Sequence, residues 1–150
     1  LGANLGDRAA TLRRALAEIR KVASIEKVSH LYATAPVGGP PQPEYLNAAA
    51  LVAFDGEPEA LLDALLAIEA KLGRVRKERN GPRTIDLDVL WIEGIAVKTE
   101  KLEVPHPRLR ERAFALAPML EVAAGAREPG TGEGYGVPEG EVRVVGEVGE

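Results

Sequence analysis

Asp86 and Asp88 stand on either side of Leu87 in the run Gly81-Pro82-Arg83-Thr84-Ile85-Asp86-Leu87-Asp88-Val89-Leu90, just after a cluster of arginines. Alternate residues of a strand point the same way at a rise of about 3.3 Å per residue, so the two carboxylates share a face with Cβ atoms roughly 6 to 7 Å apart. Carboxylates at that separation can bridge a pair of magnesium ions, each taking one or two protein carboxylates and completing its shell with water and substrate phosphate. Alone, such a pair suits a solvated sheet edge equally well. Here residues 73–83 precede it, and in them Arg74, Arg76, Lys77, Arg79 and Arg83 set five positive charges against Glu78. The planar arginine fork matches phosphate oxygens, and the bounding glycine and prolines make the run a loop rather than a solvated helix face. Acids for a metal beside arginines for phosphate point to a nucleoside triphosphate site.

Several other chemistries are excluded. There is no cysteine, which removes thiolate metal sites, disulfides and cysteine nucleophiles and leaves hard, oxygen-held cations. No Gly-x-x-x-x-Gly-Lys-Ser/Thr loop, kinase-type glycine loop or Ser/His/acid grouping occurs. Direct transfer to a bound acceptor is the simpler chemistry. A net charge of −4 argues against a general nucleic-acid binder. No apolar run approaches the roughly 20 residues of a membrane helix, and a soluble cytoplasmic protein with no membrane partner is expected. Nothing in the sequence specifies an oligomeric state.

The elements that must position these residues follow from periodicity. Leu12, Leu16, Ile19 and Val22 predict a helix over 7–22, and Leu61, Leu65, Ile68 and Leu72 a second one that starts at Glu57-Pro58 and stops at Gly73. Residues 25–34 read as a strand, and the proline- and glycine-rich stretch 35–43 as a long functional loop. In 45–54, Leu46, Ala48, Ala50, Val52 and Phe54 alternate with Tyr45, Asn47, Ala49 and Leu51. In 84–92, Ile85, Leu87, Val89 and Trp91 alternate with Asp86, Asp88 and Leu90. A short return strand at 95–97 and a short helix at 109–116 complete the order strand, helix, strand, strand, helix, strand. That order predicts an α+β, ferredoxin-like antiparallel sheet with helices on one face and the active site on the other. Residues 1–125 form the expected domain, whose first strand reads as incomplete at its amino end. Residues 126–150 are an expected appendage, with 141–145 resembling a strand.

Gly73-Arg74-x-Arg76, the Gly81-to-Asp88 run, Val104-Pro105-His106-Pro107 and Arg112-x-Phe114 occur in one order with Tyr45-Leu46-Asn47-Ala48-Ala49 and Leu1-Gly2-Ala3-Asn4-Leu5-Gly6. Over residues 1–122 this set resembles the 6-hydroxymethyl-7,8-dihydropterin pyrophosphokinase family of folate biosynthesis. The resemblance implies transfer of pyrophosphate from ATP to the hydroxymethyl group of a reduced pterin, with release of AMP. It assigns Asp86 and Asp88 to two Mg²⁺ ions, and Arg74, Arg76 and Arg83 to the phosphates, Arg74 and Arg83 serving the transfer step. His106 and Arg112 would add phosphate contacts, Lys101 and Glu69 would lie near the nucleotide, and the Val89 backbone would meet adenine. Thr34, Pro36, Val37, Tyr45, Asn47 and Phe114 would hold the pterin. Asn80 departs from relatives that carry tryptophan there. The rival reading is a non-catalytic ferredoxin-like module for a nucleotide or RNA; an RNA module would present aromatics on its central strands, where this chain presents acids.

Overall fold

A computed structural model of the chain describes residues 1–3, 7–34, 44–73, 85–136 and 142–148. Asp7 caps helix α1 (Arg8–Ile19), its side chain accepting the Ala10 amide at 3.1 Å. Leu12, Leu16 and Ile19 are buried along one stripe. Val22 was expected to join them but is 42% exposed, because the helix gives way after Ile19 to a turn in which both Val22 and Ala23 donate to the Ile19 carbonyl. Helix α2 (Pro58–Lys71) has its proline in the first turn, where the missing N–H costs no intrahelical bond. It buries Leu61, Leu65, Ile68 and Leu72 and ends at Gly73, whose φ of 82° is the left-handed conformation that glycine enters without strain.

The strands are β1 (Gly2–Ala3), β2 (Ser24–Val28), β3 (His30–Thr34), β4 (Tyr45–Asn47), β5 (Ala50–Ala53) and β8 (Arg143–Glu147), with the small pair β6 (Val97–Lys98) and β7 (Glu103–Val104) beside them. The main sheet has the order β1-β4-β3-β8, and its pairs are antiparallel. Asp86 extends it beyond β1 through a bridge to Gly2. The expected strand at 25–34 is interrupted at Ser29, whose amide donates to the Ala49 carbonyl and whose hydroxyl accepts the Ala49 amide, both at 2.8 Å. Beyond that kink β2 pairs with β5 as a second, two-stranded sheet.

Leu31, Ala33, Leu46, Ala48, Ile85 and Leu87 pack with α1 and α2 in one core. The α+β antiparallel class and the alternation of 45–54 and 85–90 follow the sequence, but Trp91, expected beside Ile85, Leu87 and Val89, packs instead with Leu90 in the cluster of Leu109, Leu116 and Met119, and among the described residues 85–92 form isolated bridges at Asp86 and Ile92 rather than a continuous ladder. Helix α3 (Ala113–Val122) begins after a single 3₁₀ turn at Leu109–Glu111, later than expected, and lies against the other face of the sheet. There the Tyr32 hydroxyl donates to Glu121 at 2.7 Å, while Leu31 and Ala33 on the same strand point into the α1/α2 core. Helices therefore cover both faces, with α1 and α2 on the one expected. Under α3, Leu116 and Met119 pack with Leu109, Ala126 and Tyr135. Strand β8 pairs with β3 and leads Val148 into the main core at 2% exposure, so part of the expected appendage is structural.

Candidate active site

Strand register lines up the site. Tyr32 pairs with Asn47, Asn47 with Gly2, and Gly2 with Asp86, so the four residues form one row across neighbouring strands, on the face turned away from α1 and α2. Directly paired residues share a face. Gly2 contributes no side chain to that row, and the reason is steric: a Cβ there would lie 2.7 Å from Oδ1 of Asn47. The bare glycine makes room for the Asn47 amide over β1, on the row that leads to the Asp86 carboxylate. Two strand spacings separate them, about 10 Å.

One step along the same face, Thr34 pairs with Tyr45. Thr34 and Asn47 are both buried, and the Asn47 Nδ2 donates to the Thr34 hydroxyl at 3.4 Å. Asn47, Thr34 and Tyr45 thus form a polar and aromatic corner with donors and acceptors for the edge of a flat ring. Phe114 arrives from the first turn of α3, and the Arg112 guanidinium sits over its ring at 5.6 Å. That stacking joins the expected ring-binding and phosphate-binding residues at one end of α3.

At the acidic pair, Asp86 is half-buried. Asp88 is exposed to solvent along part of its side chain, yet burial of its carboxyl pushes its pKa up, and the neighbouring Asp86 charge pushes it further. Positive charge, first at the amino group of Leu1 and then at Arg112, partly offsets both effects. His106 is half-buried, and burial together with Arg112 lowers its pKa, favouring the neutral ring. Its amide donates to the Leu90 carbonyl at 2.8 Å and its Nδ1 accepts the Arg108 amide at 3.3 Å. That contact assigns the proton of the neutral ring to Nε2, as a donor.

Glu69 is buried at 3% exposure, and its Oε2 accepts the amide of Leu87, the residue between the two aspartates, at 2.7 Å. That bond fixes the backbone that carries the acids. A signal was present in the sequence: Glu69 lies four residues after Leu65 and three before Leu72, on the inward stripe of α2. Lys101, expected near the nucleotide, is ion-paired with Asp63 of α2. Val89 is half-buried against the main core. Arg74, Arg76, Arg83, Pro36 and Val37 lie outside the described residues.

No three His, Cys, Asp or Glu side chains among the described residues converge as a metal cage. Two carboxylates that repel each other at a partly solvated site nevertheless fit a hard cation whose remaining ligands come from water and phosphate.

The fold is of the α+β class, with a carboxylate pair on one sheet face. The chain belongs to the 7,8-dihydro-6-hydroxymethylpterin-pyrophosphokinase family, whose family model matches residues 1–124. It is 43% identical over 133 residues to the 2-amino-4-hydroxy-6-hydroxymethyldihydropteridine pyrophosphokinase of Bacillus subtilis, covering 87% of this chain and 80% of that one. The Methylorubrum extorquens protein with that description is 46% identical over 125 residues, 82% of this chain and 79% of the relative. The Synechocystis one is 39% identical over 135 residues, 89% and 69%.

Proposed function

We propose that Asp86 and Asp88 hold Mg²⁺ and the ATP triphosphate for the reaction of this family, pyrophosphate transfer to the hydroxymethyl group of 6-hydroxymethyl-7,8-dihydropterin in folate synthesis. The observation that carries the residue assignment is the row from Asn47 across Gly2 to Asp86. It supports the reading because the Asn47 amide, assigned to the pterin edge, and the Asp86 carboxylate, assigned to the metal, share one face about two strand spacings apart.

Asn47, Thr34, Tyr45 and Phe114 orient the pterin, with Pro36 and Val37 expected from the adjoining loop. The pterin hydroxyl oxygen forms a bond to the β-phosphorus of ATP. The bond from that phosphorus to the oxygen bridging the α-phosphate breaks, AMP leaves with that oxygen, and the hydroxyl proton is released to water. Two Mg²⁺ ions, when bound, would neutralise charge on the triphosphate. His106 offers Nε2–H and Arg112 its guanidinium to the phosphates, and Arg74, Arg76 and Arg83 are assigned there with them. Lys101 and the Val89 backbone belong to the nucleotide end. Such a transfer needs alignment and electrostatic complementarity more than covalent help from the protein. The proposal includes a cytoplasmic setting.

Incubation with ATP, Mg²⁺ and the pterin alcohol should release AMP and pterin diphosphate in equal amounts. ADP instead would identify an ordinary kinase, and absence of turnover would favour a binding module. Removing one electrostatic contact to a transition state costs about 3 to 4 kcal/mol. Asp88→Ala should therefore lower kcat by roughly 100- to 1,000-fold with an unchanged circular dichroism spectrum. A steady-state rate equal to that of the unsubstituted chain would sink the metal assignment.

A further inference from the structure

His30, Tyr32 and Thr34 alternate along β3 with Leu31 and Ala33, which enter the α1/α2 core. Thr34 belongs to the polar corner with Asn47 and Tyr45, and Tyr32 pairs directly with Asn47. The other two residues of that face are held by one side chain of α3. One carboxylate oxygen of Glu121 accepts the Tyr32 hydroxyl at 2.7 Å, the other lies 2.8 Å from Nδ1 of His30, and both accept the His30 amide at 3.0 Å.

These bonds matter to the seat of α3 because its apolar packing goes elsewhere. Leu116 and Met119 pack with Leu109, Ala126 and Tyr135, a cluster that shares no residue with the core holding Leu31, Ala33 and Leu46. Directional, charge-assisted bonds therefore fix the height of the helix over β3 where a common core does not. Phe114 precedes Glu121 by seven residues, two helical turns, and so lies on the same side of α3 about 10 Å toward its amino end. Pro118, fully buried between them, removes one rung of the helix ladder but locks its own φ.

We infer that Glu121 and Tyr32 are positioning residues for the pterin. Their bond sets the gap between the Phe114 ring on α3 and the corner of Thr34, Asn47 and Tyr45 on the sheet, the slot in which a flat ring is gripped. Both act through Phe114 rather than by contact with the substrate. The inference rests on the assignment of that corner and of Phe114 to the pterin.

Steady-state kinetics of Tyr32→Phe, Glu121→Ala and Glu121→Gln, with each substrate varied in turn, test it. Tyr32→Phe and Glu121→Ala should each raise the pterin KM about fivefold to tenfold, the loss expected for a hydrogen bond to a charged group. The KM for ATP and kcat should stay within about twofold, as for a loss confined to binding of one substrate. Because both substitutions remove the same bond, combining them should add little to Glu121→Ala alone. Glu121→Gln keeps an acceptor for the Tyr32 hydroxyl and should recover most of the pterin KM. A fall in Tm with the pterin KM unchanged would overturn the inference, leaving the bond a purely structural tie. Equal rises in both KM values would overturn it too, as general loosening. Phe114→Leu separates the inference from the reading beneath it, since it should raise the pterin KM at least as much. An unchanged pterin KM in that variant would remove Phe114 from the pterin site and the inference with it. A raised one, beside unaltered Tyr32→Phe and Glu121→Ala, would remove the positioning role alone.

Discussion

At Asp88, burial and the adjacent Asp86 charge both disfavour the ionised form, and this sets catalysis against stability. A carboxyl raised by folding stabilises the fold below its unfolded value, and that contribution is lost as pH rises through the folded value. At neutral pH the acidic pair is therefore a net repulsion. Asp88→Asn is expected to raise Tm while slowing AMP release by a factor like that of Asp88→Ala, the usual trade at a functional site. Added Mg²⁺ should stabilise the unsubstituted chain by mass action and the variant much less. Thermal melts with and without Mg²⁺ check both, and a lower Tm for the variant would contradict the reading. At Gly2 the constraint is space. Gly2→Ala must displace the buried Asn47 amide from its 2.7 Å approach, so the KM for the pterin should rise about tenfold, a loss of about 1.4 kcal/mol, with the KM for ATP little changed. Steady-state kinetics in both substrates separates these effects.

Among the elements, α2 governs the acidic segment through the Glu69 carboxylate on the Leu87 amide. Glu69→Ala leaves that amide without this acceptor, a cost of about 1 to 3 kcal/mol. It should lower Tm and kcat together, whereas Glu69→Gln keeps an acceptor and should recover much of both. Helix α3 is tied to β3 by Glu121, which takes the Tyr32 hydroxyl and the His30 amide and lies 2.8 Å from the His30 ring. Burial alone would raise the Glu121 carboxyl, but these hydrogen bonds outweigh it and hold the pKa below the ordinary value, while burial and Glu121 push Tyr32 up to about 12. The signs are opposite. The Glu121 contribution is present above its unfolded pKa and is lost as pH falls through its depressed folded value; that of Tyr32 is present below about 10 and lost as pH rises toward about 12. Melting temperature against pH should fall at both ends; Tyr32→Phe should remove the alkaline fall and, because the Tyr32 hydroxyl is the foremost hydrogen bond depressing the Glu121 carboxyl, weaken the acid one as well.

Across the whole molecule, the legible parts were those governed by local periodicity. The stripes of α1 and α2 and the alternation at 45–54 reported which side chains enter the core. The face taken by α3 was not legible, because its docking depends on Tyr32 and His30 meeting Glu121 some 90 positions away. The row Asn47, Gly2, Asp86 was hidden for the same reason, since register between strands is not written in any one of them. Val148 carried no periodic signal either, yet it is buried in the core beside Leu12 and Leu16. Leu16→Ala should cost about 2 to 5 kcal/mol, measurable by urea unfolding. Truncation after residue 136 would remove β8 and uncover the outer edge of β3, and should reduce both Tm and solubility.

Trp91, the chain's single tryptophan, donates its indole N–H to the Arg127 carbonyl at 2.8 Å and packs in the cluster under α3. Water and side chains packed against an indole leave different emission maxima. The protein therefore has its own optical probe three residues beyond Asp88, and changes in packing around α3 and residues 87–92 can be followed by intrinsic fluorescence without any label.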